Sequence, residues 1–252
     1  AEEGRTFLEL DASQCELRVL ANLSRDTRLL DALDKGDVHR RTAAVILGLS
    51  EEDVTPEQRH FVGKSVNFGI IYGQTEVGLS RELDIGIDEA RQRLNMFFSA
   101  YQAAGAWISS VHTSVEQLGY VQTLFGHRRN LPHIWSQDPS EVARARRQAV
   151  NTIIQGTAAD LIKQLLGKLH RALSAESQLH LTVHDSVLMS VPTDQLQATH
   201  EVIGQVIPEL AMPMRFTLGT GRTWGDCKNN AVPFLLSHDR STGSILTATQ
   251  RI

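Results

Sequence analysis

The chain has 252 residues, 41% hydrophobic and 21% charged, enough for one large domain or two small ones with a proper core. Its formal net charge of −4 argues against binding nucleic acid through a global basic field, while local basic contacts stay open. Cys15 and Cys227 match no metal spacing and argue for free thiols in a reducing compartment; no secretory signal is present, and no apolar run approaches the ~20 residues that cross a bilayer.

The chain opens at Ala1 rather than Met and enters a strand almost at once, so it reads as a fragment or a processed product. Thr6 to Leu10 is that strand, ending at Asp11. Ser13 and Glu16 have capping-box spacing ahead of an amphipathic helix, Leu17 to Leu23. Asp37 to Leu47 reads as helical. Thr55 to Gly73 reads as one helix: Thr55 as N-cap, Pro56 in the first turn, Gln58 completing a capping box and Gly73 as the stop. Glu89 to Leu118 is helical, and Gly119 to Gly126 is a strand or hairpin running into the basic turn of Arg128 and Arg129. Glu141 to Ile154 is helical and carries the basic cluster Arg144, Arg146 and Arg147. Both clusters also fit a solvated surface. Thr157 to Asp160 offers a capping signature for a helix with Leu161, Leu165, Leu169 and Leu173 on one face. Leu179 to Val183 and Val187 to Val191 flank His184-Asp185-Ser186 as a tight hairpin. A helix over Gln195 to Leu210 and a last strand over Arg215 to Leu218 follow; Ala231 to Ile252 reads as a loosely attached tail. Strands at both ends and helices between them predict an α+β fold, an antiparallel sheet with a helical insertion.

Two features carry chemistry. Within the Thr55–Gly73 helix, His60, Lys64, Phe68 and Tyr72 fall four apart along one broad face that runs from cationic to aromatic. Such a face suits a ligand with an anionic and a flat end, such as a nucleoside triphosphate; it also fits an ordinary amphipathic helix with a snorkelling lysine. Separately, Asp11 ends one strand and Asp185 sits in a hairpin turn. If those strands are neighbours, the carboxylates converge on a site of hard oxygens suited to Mg²⁺. Two such ions about 3.5–4 Å apart activate an attacking hydroxyl and stabilise a leaving pyrophosphate. A turn or cap is the commoner use of a lone Asp.

The segment Asp11-Ala12-Ser13-Gln14-Cys15-Glu16-Leu17-Arg18 resembles motif A of the family A (polymerase I-like) DNA polymerases. Lys64…Phe68-Gly69…Tyr72-Gly73 resembles their motif B, and Val183-His184-Asp185 their motif C. Asp37-Val38-His39-Arg40, Tyr120 to Arg129 and Gln155 to Asp160 match in the same order, over roughly residues 5 to 226. The resemblance implies a polymerase right-hand fold without thumb or nuclease domains: palm at 1–36 and 151–228, fingers at 37–150 and a tail at 229–252. It implies a template-directed DNA polymerase core of replication or repair, in which Asp11, Asp185 and the Ala12 carbonyl hold two Mg²⁺ ions, with Mn²⁺ as a substitute. Lys64 would meet the triphosphate and protonate the leaving pyrophosphate, and His39 would contact its outer phosphates. Phe68 would pack on the incoming sugar and base, and Tyr72 would close the pocket beside the templating base. Glu16 would bond Tyr72 and exclude a ribose 2′-hydroxyl, a role that competes with its place in the capping box. Arg147, Asn151, Gln155 and His184 would contact primer–template DNA; Asn151 and Gln155 also fit helix-terminus bonding.

The chain departs from the family in places. The family has Arg four residues before the motif B lysine, where this chain has His60. Either His60 faces the phosphates, or one inserted residue and a π-bulge return Arg59 to that face, and the second reading is favoured. Ser186 stands where Glu usually follows the motif C aspartate, Ala12 where Tyr is usual, and Val77 where an aromatic is common. The partners implied are dNTP, primer–template DNA and a missing N-terminal polymerase portion, in cis or as a separate chain, with no membrane. The implied location is the cytoplasm of a bacterial or phage-infected cell, with an organellar origin left open. A single-subunit RNA polymerase-like enzyme and an inactive DNA-binding module are the alternatives.

Overall fold

The computed structural model of the protein describes residues 1–234, so all but the start of the expected tail lies outside the described residues. In chain order the elements are strand β1 (Arg5–Ala12) and helices α1 (Cys15–Ser24), α2 (Thr27–Asp34) and α3 (Val38–Leu47). Next come α4 (Pro56–Gln58), a π-helical segment (Arg59–Lys64), α5 (Ser65–Ile71), α6 (Glu76–Leu83), α7 (Ile87–Ala100) and α8 (Gln102–Leu118). Strands β2 (Tyr120–Gln122) and β3 (Arg128–Asn130) precede the long helix α9 (Pro139–Ala172). Strands β4 (Gln178–Val183) and β5 (Ser186–Pro192), helix α10 (Leu196–Val206), β6 (Phe216–Gly221), α11 (Trp224–Asn229) and β7 (Val232–Phe234) complete the described chain.

The described residues pack as two compact units, residues 1–13 with 161–234, and residues 14–160. The first unit holds an antiparallel sheet in the order β4-β5-β1-β6-β7. The N-terminal strand is its centre, and the expected α+β sheet built from both chain ends is what forms. Leu8, Leu10 and Ala12 alternate onto one buried face of β1, which leaves Phe7, Glu9 and Asp11 on the other. Every residue of β5 from Ser186 to Val191 is buried, as an interior strand requires, whereas β4 at the edge is largely exposed.

The second unit is helical apart from the β2–β3 hairpin. Here α3 lies along the π-helical segment at a spacing only glycine permits, since a Cβ on Gly63 would fall 1.8 Å from the His39 carbonyl oxygen. At the end of α5, Gly73 adopts φ 63°, and its backbone meets Arg147 of α9. The packing therefore divides the chain after 13 and 160, whereas the sequence reading divides it after 36 and 150; α1 and α2 belong with the helical block.

Several local expectations are corrected. Helix α1 starts after a left-handed Gln14 that has no side-chain cap, and not at Ser13 as N-cap; the Ser13 amide donates to the Arg215 carbonyl (2.9 Å). Thr157–Asp160 is no helix start; it lies within the 34-residue α9, which begins at Pro139 after Asp138. Glu89–Leu118 is two helices broken at Tyr101, where φ is −117°. The segments α2 and α6 add helices, α11 adds another after Trp224, and β7 gives the start of the tail a place in the sheet.

Candidate functional site

In the sheet unit, antiparallel pairing sets Asp11 opposite Ser186. The Ala12 amide continues the ladder by donating to the Asp185 carbonyl (3.0 Å), so both carboxylates lie at the same end of neighbouring strands. The β4–β5 turn is held by Thr182 Oγ1 donating to the Ser186 carbonyl (2.9 Å) and Ser186 Oγ to that of Val183 (3.1 Å); exposed His184 takes φ 54°. Ser186 in place of an acid thus gives the turn a hydroxyl lock. Burial, then Asp185 and Glu9, raise the Asp11 pKa to about 6 against a weaker opposing pull from Lys228; Asp185 is also raised, chiefly by burial. Two half-buried carboxylates that resist ionising are a donor set short of positive charge. Among the described residues no cluster of three or more acidic, histidine or cysteine groups forms. A bare carboxylate pair fits Mg²⁺, which keeps waters and takes substrate oxygens for the rest of its shell.

In the helical unit, Thr55 and Gln58 make the expected reciprocal capping box. The path from Pro56 to Ile71 stays helical but carries the six-residue π segment Arg59–Lys64. Lys64 Nζ lies 5.6 Å from the Phe68 ring centroid, and Phe68 and Tyr72 stack at 6.0 Å and 26°. His39, from α3, joins the row at 6.0 Å and 24° from Phe68. Arg59 is ion-paired with Asp37, which also caps α3 by accepting from the amides of His39 and Arg40. His60 points elsewhere: it is exposed and packs edge-on against exposed Phe61. Of the four-apart row Lys64, Phe68 and Tyr72 lie together and His60 does not; His39 stacks on Phe68 with the Arg59 charge nearby.

Burial, then the nearby Arg59 charge, lower the His39 pKa to about 4, with Asp37 opposing and Lys64 adding to the effect. The ring is neutral at physiological pH. Tyr72 has its pKa raised by burial and by the negative charge of Glu16, which places that carboxylate near the phenol.

Along α9, Arg147, Asn151 and Gln155 are half-buried at successive four-residue steps, and so share one helix face. The start of the β2–β3 turn is tied to this helix. Thr123 Oγ1 donates to Asp160 (2.8 Å), the Leu124 amide donates to Thr157 Oγ1 (3.0 Å), and His127 Nδ1 meets Asp160 (2.8 Å). Arg128 lies over the Tyr120 ring (3.6 Å) and Arg129 donates to Thr152 (2.9 Å).

Four residues near the site have no role in the sequence reading. Asn67, wholly buried in α5, bonds His39; its only local signal is an amide inside an apolar helix face. Asp37 anchors Arg59, and Glu9, bonded by the Trp224 indole (2.7 Å), lies close enough to Asp11 to act on its charge. Lys228, whose ammonium sits 4.8 Å from the Trp224 ring centroid, is the cation of that neighbourhood.

The sequence model of DNA polymerase family A matches residues 1–226. The thermostable DNA polymerase I of Thermus filiformis is 38% identical over 91% of this chain, which spans 28% of that protein. DNA polymerase I of Lactococcus lactis subsp. lactis is 36% identical over 88% of the chain and 26% of its own length. Among solved structures, the POL domain of Pol1 from M. smegmatis, in complex with DNA primer-template and dNTP, matches 90% of this chain and 41% of its own with a TM-score of 0.81 and 31% identity. The chain therefore spans less than a third of the length of the curated relatives it matches.

Proposed function

Because the chain belongs to DNA polymerase family A, we propose that it is the palm-and-fingers core of a template-directed DNA polymerase. The observation that carries this reading is the β1–β5 register, which sets Asp11 beside the Asp185 turn. In the reaction a primer 3′-hydroxyl gives up its proton to solvent, its oxygen bonds to the α-phosphorus of a dNTP, the bond from that phosphorus to the oxygen bridging to the β-phosphate breaks, and pyrophosphate leaves. Asp11, Asp185 and the Ala12 carbonyl would hold the Mg²⁺ ions, or Mn²⁺ in their place. The ions, when bound, supply a Lewis acid for the attacking and leaving oxygens.

The remaining work falls to side chains. Arg59, Lys64 and His39 bind the triphosphate, and Lys64 Nζ carries the proton that the leaving pyrophosphate takes. Phe68 offers its ring to the incoming nucleoside, and Tyr72 closes against the base pair. Glu16, near Tyr72, leaves no room for a 2′-hydroxyl, which favours DNA over RNA synthesis. Arg147, Asn151, Gln155 and His184 hold primer–template DNA. The other regions of such a polymerase, in cis or on a partner chain, grip the duplex, since phosphate contacts supply most of the affinity. The bacterial relatives point to the cytoplasm. No helix among the described residues is long and apolar enough to cross a membrane.

Primer extension by the intact protein with Mg²⁺ tests the reading. Template-directed dNMP addition that is lost in Asp11→Asn and in Asp185→Asn is expected. Ribonucleotides used as readily as deoxynucleotides would point to an RNA polymerase-like enzyme instead. Absence of both extension and dNTP binding would leave an inactive DNA-binding module.

A further inference from the structure

We propose that Asn67 is a positioning residue: its side-chain amide fixes the tautomer of His39 so that Nε2 carries the ring's single proton and presents it to a phosphate. This rests on the reading above that a triphosphate meets this face. Asn67 is 0% exposed, and its amide is used by two side chains of α3. The Thr42 hydroxyl donates to Oδ1 at 3.1 Å, and on the other side of the amide Nδ2 lies 2.8 Å from His39 Nδ1. An amide NH₂ can only donate, so Nδ1 must offer its lone pair. A neutral imidazole has one N–H, and it is then on Nε2.

The ring cannot easily turn to undo this. His39 is 2% exposed and lies against the face of Phe68. The tautomer matters because a phosphate oxygen accepts hydrogen bonds and does not donate them. With the proton on Nε2 the ring adds a donor beside the cations Arg59 and Lys64. With the proton on Nδ1 it would turn a lone pair toward an anion. Asn67 thus acts through His39 and makes no phosphate contact of its own.

The direct test is nitrogen-15 NMR of the His39 ring in the intact protein, which distinguishes a protonated from a lone-pair nitrogen. Protonated Nε2 and lone-pair Nδ1 are expected, with the assignment reversed in Asn67→Asp, whose carboxylate accepts, and mixed in Asn67→Leu. If either Asn67 variant fails to fold, Thr42→Val frees the amide to rotate and should mix the tautomers alone. In single-nucleotide extension, Asn67→Leu should raise KM for dNTP roughly tenfold or more with little change in kcat, the size of one hydrogen bond to a charged group. That loss should vanish in a His39→Ala background. A wild-type proton on Nδ1, or a KM effect undiminished by His39→Ala, overturns the proposal. The expected tautomer in a protein that neither binds dNTP nor extends a primer upholds the Asn67 assignment and overturns the polymerase reading instead.

Discussion

Burial and the neighbouring Arg59 charge hold the His39 ring in its neutral form. Its folded pKa of about 4 lies below the ordinary 6.5, so between those values the unfolded chain binds a proton that the folded chain does not. The linked stability is present above pH 6.5 and is lost as pH falls toward 4, by at most ~3 kcal/mol. The groups facing the ring are Arg59 and Lys64, which oppose its protonation, Asp37, which favours it, and the neutral Asn67 and Phe68. His39→Gln should therefore flatten this part of the urea-midpoint profile, and parallel profiles for both proteins would contradict the assignment. Asp11 shows the opposite sign. Its folded pKa of about 6 exceeds 3.8, so the folded state binds the extra proton and stability declines as pH rises through that window. Without divalent ions, Asp11→Asn should raise the unfolding free energy at pH 7.5, read from urea unfolding, by roughly 1 kcal/mol once solvent screening of a half-exposed group is allowed for. The same change should abolish extension. Adding Mg²⁺ should stabilise the wild type and leave the variant unmoved, because an ion that binds only the folded form shifts its stability by mass action.

At the scale of elements, the π-helical segment decides whether Arg59 or His60 lies beside Asp37 and His39, the face proposed to meet the phosphates. In an uninterrupted α-helix His60, four residues before Lys64, would share its face. With the π turn, Arg59 meets Asp37 and lies near His39, while His60 packs on Phe61 at the surface. Arg59→Ala should thus raise KM for dNTP by roughly tenfold or more, the loss of one charge-assisted bond, and His60→Ala should change it little. A larger effect from His60→Ala would refute the assignment. Gly63 completes the device. A methyl there would press on the His39 carbonyl, so Gly63→Ala should destabilise the protein by several kcal/mol, read from thermal or urea unfolding. What could be read from sequence at this level was what is local: the Thr55–Gln58 box, the Lys64–Phe68–Tyr72 row and the inserted residue. That the Ser13 amide goes to the Arg215 carbonyl, and α1 starts one residue later, could not be read, because that bond joins distant parts of the chain. The bonds from Asn67 to His39 and from Arg59 to Asp37 join residues 28 and 22 positions apart, which no helical period announces.

On the scale of the whole molecule, the sheet depends on both ends of the chain. β5 and β6 do not pair with each other; each pairs with β1. Strand identities were legible because β1 and β5 keep their apolar patterns, and the order of strands was legible only as far as two aspartates needed to converge. The central place of β1 rests on long-range pairings, which form slowly because loop closure precedes the contacts that reward it. Removing residues 1–12 should therefore do more than delete Asp11. It should separate β4–β5 from β6–β7 and expose the inner edges of both, an aggregation hazard. The unit of residues 14–160 contains no strand of that sheet, and its helices pack on one another, α1 on α2 and α8 and α7 on α3 and α6. The expected outcome is a shortened chain that loses its β-type circular dichroism and its Mg²⁺ response but keeps most of its helical signal. A fragment of residues 14–160 should likewise retain cooperative helical unfolding. If that fragment is unfolded, or if the shortened chain keeps its sheet, the division of the core between these two units is wrong.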